Sequence, residues 1–265
     1  MSKNLISIIM NCHNGEKYLK QSIESILNQN YKNWELIFFD NQSTDNSISI
    51  IEQFKDERIK IFRSNEKLSL YNARNEAIKY TNGNLISFLD TDDKWDNFFL
   101  EKLLNDLISN DCDLIYCNYF VVDEIKKKTY LNEKNFLPSG RITQSLISNY
   151  KIGVVAVLIK KKLFDQNQFD KSYDIIGDFD FFIKSSLKYK FCANQEPLAF
   201  YRVHSNSLSN KRIKLHAAEL KDWLNKNKIF FKNYNLYSIE FYLRKLQIKV
   251  LLQKIKKIFG PLAQK

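Results

Sequence analysis

The sequence predicts an α/β fold, a mixed and mainly parallel sheet flanked by helices, with a C-terminal helical extension. Three observations carry this. Over the first 120 residues short apolar runs alternate with segments whose apolar residues recur at helical spacing, as a parallel sheet requires, because each parallel strand needs a crossover of a dozen or more residues. Polar and acidic clusters fall where several of those runs end. Behind residue 210 basic and apolar residues mix in an amphipathic pattern.

Leu5 to Met10 reads as the first strand, and Glu16 to Asn28 as a helix with Leu19, Ile23, Ile26 and Leu27 on one face. Glu35 to Phe39 is the second strand, followed by a helix opening near Ser43 or Thr44 that holds Ile48, Ile51 and Phe54. Arg58 to Phe62 and Leu85 to Leu89 are further strands, separated by a helix over Leu68 to Tyr80. A helix near Asp96 to Ser109 leads into a strand over Asp113 to Val122. Beyond residue 123 the pattern loosens, then resumes as a strand at Gly153 to Lys160, a helix at Asp178 to Lys188 and a strand at Phe191 to Val203. In the tail Ile239, Leu243, Leu246 and Val250 form one stripe, with Arg244, Lys245 and Lys249 beside it. The expected organisation is a body over 1–210, divided into a ligand-binding half (1–122) and a second half (123–210), and a basic helical tail over 211–265.

With 265 residues, 44% apolar and 27% charged, disorder is excluded as the main state. The net charge of +11 is entirely local: residues 211–265 hold 14 Lys or Arg against 3 Asp or Glu, leaving 27 of each sign before them. A groove-reading domain mixes its basic residues into the folded body, so no nucleic-acid partner is expected. A basic apolar tail is the commoner signature of an anionic membrane surface, and a helix that packs on the body or on a second subunit is the alternative. A homo-oligomer is compatible with the same tail. The four cysteines, Cys12, Cys112, Cys117 and Cys192, lack metal-site or C-x-x-C spacing and read as reduced core residues. Leu5 to Met10 is too short for a signal segment, and no run approaches the ~20 apolar residues that span a bilayer. The expected location is cytoplasmic, or peripheral on the inner face of the cytoplasmic membrane.

In an open parallel sheet ligands bind beyond the carboxyl ends of the strands. There lie Asn11 to Gly15, then Asp40-Asn41-Gln42-Ser43-Thr44-Asp45, then Asp90-Thr91-Asp92-Asp93. Carboxylates two and three apart directly after a buried strand suit a hard divalent cation, Mg²⁺ or Mn²⁺. Capping of the following helix is the plain alternative, although one cap does not need three carboxylates.

The segment ISIIMNCHNGEKYLKQSIESILNQNYKNWELIFFDNQSTDNSISII, with YNARNEAI and NGNLISFLDTDDKW, resembles the family 2 glycosyltransferases of the GT-A fold, the Rossmann-like fold of nucleotide-diphospho-sugar transferases. The likeness runs nearly unbroken over residues 5–100 and returns at IIGDFDFFIK and YRVHSNSLS. It implies an inverting, metal-dependent transferase of the bacterial surface-glycan type. Such an enzyme moves one sugar per event from a nucleotide-sugar, usually a UDP-sugar, to a hydroxyl of a glycan or lipid-linked oligosaccharide.

The resemblance assigns Asp40 to the nucleotide base, Asp90 to the ribose, and Asp92 to the Mn²⁺ or Mg²⁺ on the diphosphate. Asp93 is adjacent to these. Arg74, in Ala73-Arg74-Asn75, belongs beside the nucleotide, with an exposed helix arginine as the plain alternative. His204 corresponds to a late histidine that approaches metal or diphosphate, while Arg202 and Ser209 are weaker candidates. The general base comes from a glutamate-aspartate pair in the family; here Gly177 stands at the glutamate position and Asp178 remains as the expected base, with Asp180 second. A Q-x-x-R-W signature and spanning helices, which mark processive synthases, are absent from the sequence. A polyprenyl-phosphate sugar synthase and a non-catalytic sugar-nucleotide binder remain as alternatives.

Overall fold

The computed structural model describes residues 4–205 and 212–259. Ser209 lies outside them. One sheet organises the chain. β1 (Ile6–Cys12), β2 (Trp34–Asp40), β3 (Ile59–Arg63) and β4 (Leu85–Phe88) form its parallel half, in the order β3-β2-β1-β4. The sheet continues through β8 (Val157–Lys160), antiparallel to β4, then β6 (Leu114–Asp123), β9 (Phe191–Val203) and β5 (Lys94–Trp95), while β7 (Lys128–Leu131) pairs with β6 alone.

β1 and β2 are apolar apart from Ser7, Asn11, Glu35 and Asp40, because both their faces are covered. Alternate residues feed two cores. Ile8, Met10, Leu36 and Phe38 pack with α1 (Glu16–Leu27) and α4 (Phe99–Ser109) on one face, whereas Ile9, Ile37 and Phe39 pack on the other with α3 (Leu70–Ile78) and α7 (Gly177–Ser186). α2 (Ser47–Ile51), α5 (Thr143–Ser148) and α6 (Lys162–Gln166) are short connectors. All four cysteines are buried and free, as expected.

The tail forms α8 (Ile213–Asn227) and α9 (Tyr237–Phe259). Leu220, Trp223 and Leu224 from α8, with Ile239 and Leu246 from α9, enter the same core as Phe181, Phe182 and Ile183. Leu243 and Val250 pack against that core, so the sequence stripe at 239, 243, 246 and 250 is the inward face of α9. Among the described residues no helix is long and apolar enough to cross a membrane.

The structure adds β5, β7, α5 and α6, each two to six residues long and too short to show a period. α2 stops at Ile51, and Phe54 packs on the core from the loop beyond it.

Candidate active site

The loops leaving β1 and β2 are laced together by side chains. Asn14 and Gln42 adopt φ of 56° and 62°, conformations that asparagine tolerates better than most residues. Asn14 Oδ1 accepts from Thr44 N at 2.8 Å, Ser43 Oγ from Asn14 N at 3.0 Å, and Asp45 Oδ2 from Glu16 N at 3.0 Å. Asp40, at the end of β2, is fully buried. Its carboxylate accepts from Ser43 N at 3.1 Å and lies 3.1 Å from Arg63 Nε, so it closes the turn of its own loop. Beside it, both polar atoms of the Asn11 side chain are buried with no hydrogen-bond partner among the described residues. A buried, unsatisfied amide at a strand end costs about 1–3 kcal/mol unless a water or a ligand supplies the missing bonds.

Arg74 projects from α3 under the loop after β4. Its side chain is 2% exposed, and Nη2 donates to Asp90 Oδ1 and Oδ2 at 2.8 and 2.9 Å. It is an interior cation, not a surface residue. Asp92 and His204 meet at 2.9 Å through Oδ2 and Nε2. Burial and the adjacent Asp90 charge push the Asp92 carboxyl above its usual range, and His204 opposes the shift. Asp93 turns inward, where its Oδ1 accepts from Arg202 N at 2.7 Å and its Oδ2 is buried without a partner among the described residues. Burial foremost, then the charges of Asp92 and Asp90, raise its carboxyl far above the ordinary value.

Arg202 fastens this loop in place. Nε donates to Asp92 O at 2.8 Å, Nη1 to Glu124 Oε1 at 2.9 Å and Nη2 to Gln21 Oε1 at 2.6 Å, while its guanidinium lies 4.5 Å from the Tyr18 ring. Gly15, at the start of α1, lets the loop approach: a Cβ there would lie 2.7 Å from Thr91 Oγ1.

Asp178 lies in the first turn of α7. Its Oδ1 accepts from Tyr71 Oη at 2.9 Å and from Phe179 N at 2.9 Å. Burial raises its pKa, while the Arg74 charge and the Tyr71 hydroxyl hold it back. The Tyr71 ring occupies the space beside Gly177, where a Cβ would sit 2.4 Å from ring Cδ2. That ring leaves no room for a side chain at position 177. Asp180 faces the opposite way, accepting from Trp223 Nε1 at 2.8 Å and pairing with Lys184 at 2.6 Å. Glu219 of α8 accepts from the backbone N–H groups of Asp174, Ile175 and Ile176 at 2.8, 2.9 and 3.2 Å, holding the segment that enters α7.

Thus Arg74, Asp90, Asp92, His204, Asp178 and Tyr71 belong to one electrostatically linked cluster, whereas Asp40 and Asp93 are taken up by turn closure and strand contacts. Sequence reasoning placed Asn11 in the polar segment after the first strand without giving it a role, and missed Tyr71 and Tyr150. The Tyr150 hydroxyl is buried without a partner among the described residues, and the charge of Asp178 raises its pKa after burial itself. Tyr71 lies in the YNARNEAI segment, and no local pattern marks its contact with Asp178, 107 positions away.

Among the described residues no group of three or more acidic, histidine or cysteine side chains could enclose a metal ion. Asp92 and His204 offer one oxygen and one nitrogen donor side by side. That set fits a Mn²⁺ or Mg²⁺ completing its shell with water and diphosphate oxygens, and the crowding of Asp90 against Asp92 is the repulsion that a cation relieves.

A doubly covered α/β sheet with such a cluster at its strand ends belongs to the nucleotide-sugar transferase class. Residues 7–189 match the model of Glycosyl transferase family 2, so the chain belongs to that family and is a glycosyltransferase. The chain is 31% identical over 218 residues to the UDP-Glc:alpha-D-GlcNAc-diphosphoundecaprenol beta-1,3-glucosyltransferase WfgD of Escherichia coli, covering 81% of this chain and 83% of that protein. Over 226 residues it is 29% identical to the Bacillus subtilis putative teichuronic acid biosynthesis glycosyltransferase TuaG, covering 83% and 86%. Two solved structures share the fold. S. aureus TarS 1-349 in complex with UDP superposes with a TM-score of 0.63 at 18% identity, covering 81% of this chain and 65% of that one. The mannosyltransferase PcManGT of Pyrobaculum calidifontis, in complex with GDP-Man and Mn²⁺, gives 0.64 at 15%, covering 92% and 70%.

Proposed function

We propose that this protein is an inverting, metal-dependent glycosyltransferase that moves one sugar, from a UDP-sugar, to a hydroxyl of a lipid-linked oligosaccharide on the inner face of the cytoplasmic membrane. The nucleotide and acceptor classes are supported by the likeness to WfgD and by the UDP complex of TarS. The Mn²⁺ complex of PcManGT supports the metal. The observation that carries the reading is Asp178: a half-buried carboxylate with a raised pKa, oriented by Tyr71 and electrostatically coupled to Arg74, which in turn grips Asp90.

The mechanism follows from these groups. Asp178 accepts the proton of the acceptor hydroxyl as the oxygen attacks the anomeric carbon, and its raised pKa makes it a stronger base. Tyr71 fixes which carboxylate oxygen is engaged, leaving Oδ2 without a protein hydrogen bond among those described. Arg74 neutralises Asp90, so that this carboxylate can stand near an anionic ligand. Asp92 and His204 would hold the Mn²⁺ or Mg²⁺, which supplies charge neutralisation for the departing nucleoside diphosphate. Asp40, through the turn its carboxylate closes, would shape the base end of the donor, and Asn11 lies beside it. Inversion of an α-linked donor gives a β-glycoside.

Calorimetry of UDP with and without Mn²⁺ tests the donor half. Metal-dependent binding by the wild type, lost in Asp92→Ala, is the expected result. Asp178→Asn is expected to retain that binding and to lose turnover by a factor on the order of 10² to 10⁴. Absence of UDP binding under every metal condition overturns the donor assignment, and full turnover by Asp178→Asn overturns the base. UDP binding without turnover by the wild type on any lipid-linked or glycan acceptor would leave a sugar-nucleotide binder instead.

A further inference from the structure

α9 is apolar on two opposite faces, and among the described residues only one of them packs on the body. Ile239 and Leu246 are buried and Leu243 and Val250 half-buried against the body. On the other side Phe241, Ile248, Leu252 and Ile255 recur at helical spacing, and they are 45%, 57%, 53% and 41% exposed. At 1.5 Å per residue this outer stripe is about 21 Å long. Arg244, Lys245 and Lys249 are exposed on the same helix, with Lys245 Nζ 4.4 Å from the Phe241 ring centroid, and Glu240 is its only acidic residue. The excess charge of the whole chain is gathered over 211–265, 14 basic residues against 3 acidic.

We propose that the outer face of α9 seats the protein on an anionic phospholipid surface, with the apolar stripe entering the headgroup boundary and Arg244, Lys245 and Lys249 reaching the phosphates. Amphipathic helices of this composition lie in the plane of the interface, and long basic side chains extend past an apolar stripe to its charged border. Charge selects lipid over a second copy of this chain. Two such faces pressed together would bring Arg244, Lys245 and Lys249 of both copies into one apolar contact with only Glu240 from each to offset them. An anionic bilayer compensates all three. The inward face fixes the orientation, because the residues that bury α9 in the body leave its outer stripe clear of the protein. This inference rests on the α9 geometry and not on the identity of the acceptor.

Flotation with vesicles free of any glycolipid tests it, using phosphatidylglycerol-rich and pure phosphatidylcholine compositions. The full-length protein is expected to float with the anionic vesicles and at least tenfold less with the neutral ones. Phe241→Ser/Ile248→Ser/Leu252→Ser changes only exposed residues and is expected to weaken anionic binding by tenfold or more. Arg244→Glu/Lys245→Glu/Lys249→Glu is expected to abolish the preference for anionic lipid, each lost basic residue contributing about fivefold. Both variants should keep the wild-type melting temperature, which separates loss of a surface from loss of the fold. No flotation by the wild type, or unchanged flotation by the serine variant, overturns the proposal. So does light scattering that finds a dimer in the wild type and a monomer in the serine variant, because that result assigns the face to a second copy.

Discussion

Adding one methyl group at Gly177 tests the packing around Asp178. In Gly177→Ala the new Cβ would stand 2.4 Å from Cδ2 and 2.6 Å from Cγ and Cε2 of Tyr71. Ordinary carbon contacts are about 3.5–4.0 Å, so the ring must retreat by about 1 Å. It has little room: Tyr71 is 2% exposed, its ring centroid is 5.3 Å from that of Phe169, and Arg74 lies 5.3 Å from it. Overpacking of this kind costs about 1–3 kcal/mol, and removing a helical glycine returns at most about 1. A net loss of about 1–2 kcal/mol lowers the melting temperature of a chain this size by about 2–8 °C. A 1 Å shift also breaks the 2.9 Å bond from Tyr71 to Asp178, so turnover falls with stability. The assay is urea denaturation of wild type, Gly177→Ala, Tyr71→Ala and the double variant. Coupling of about 1–2 kcal/mol is expected, because the methyl group fits once the ring is gone. If Gly177→Ala is as stable as wild type, or costs the same without the tyrosine ring, the volume exchange between these positions is refuted.

Two further perturbations read the electrostatics. Tyr71→Phe removes a hydrogen bond that lowers the Asp178 pKa, so the acidic limb of the kcat/KM profile is expected to move to higher pH while UDP affinity is unchanged; a limb that stays or moves down counts against the assignment. Glu35 is buried beneath the other end of the sheet, accepting from Ser7 Oγ at 2.6 Å, Lys60 Nζ at 2.7 Å and Asn82 N at 2.6 Å. Burial opposes ionisation, but the hydrogen bonds from Lys60, Ser7 and Asn82 prevail and bring its pKa from 4.5 to about 2. A depressed carboxylate stabilises above its unfolded pKa and loses that contribution as pH falls to its folded value. Up to about 3 kcal/mol should therefore disappear between pH 4.5 and 2, and Glu35→Gln should flatten that part of the acid denaturation curve; identical curves would exclude the role.

The sheet was legible in the sequence because its strands and crossovers carry two different periods. β9 was expected over Phe191 to Val203, where it lies, and β1 and β2 each within two residues. The short pieces were not legible: β7 is four residues with none buried, so its position comes from pairing with β6 and not from an apolar pattern. For the site, motifs placed Arg74, Asp90, Asp92, His204 and Asp178 in one region. They could not show that Asp93 turns to the Arg202 backbone, since neighbouring aspartates look alike until the chain bends. Nor could they show Tyr71 as the partner of Asp178, a contact spanning 107 positions.

The bonds from Glu219 have a consequence for synthesis of the protein. The family match ends at residue 189, yet the amides ahead of α7 are held by a residue thirty positions later. On the ribosome, a chain that has emerged through β9 holds the whole matched region and still lacks the Glu219 clamp ahead of Asp178. Translation order thus delays competence: the entry to α7 is secured only as α8, which bears Glu219, leaves the exit tunnel.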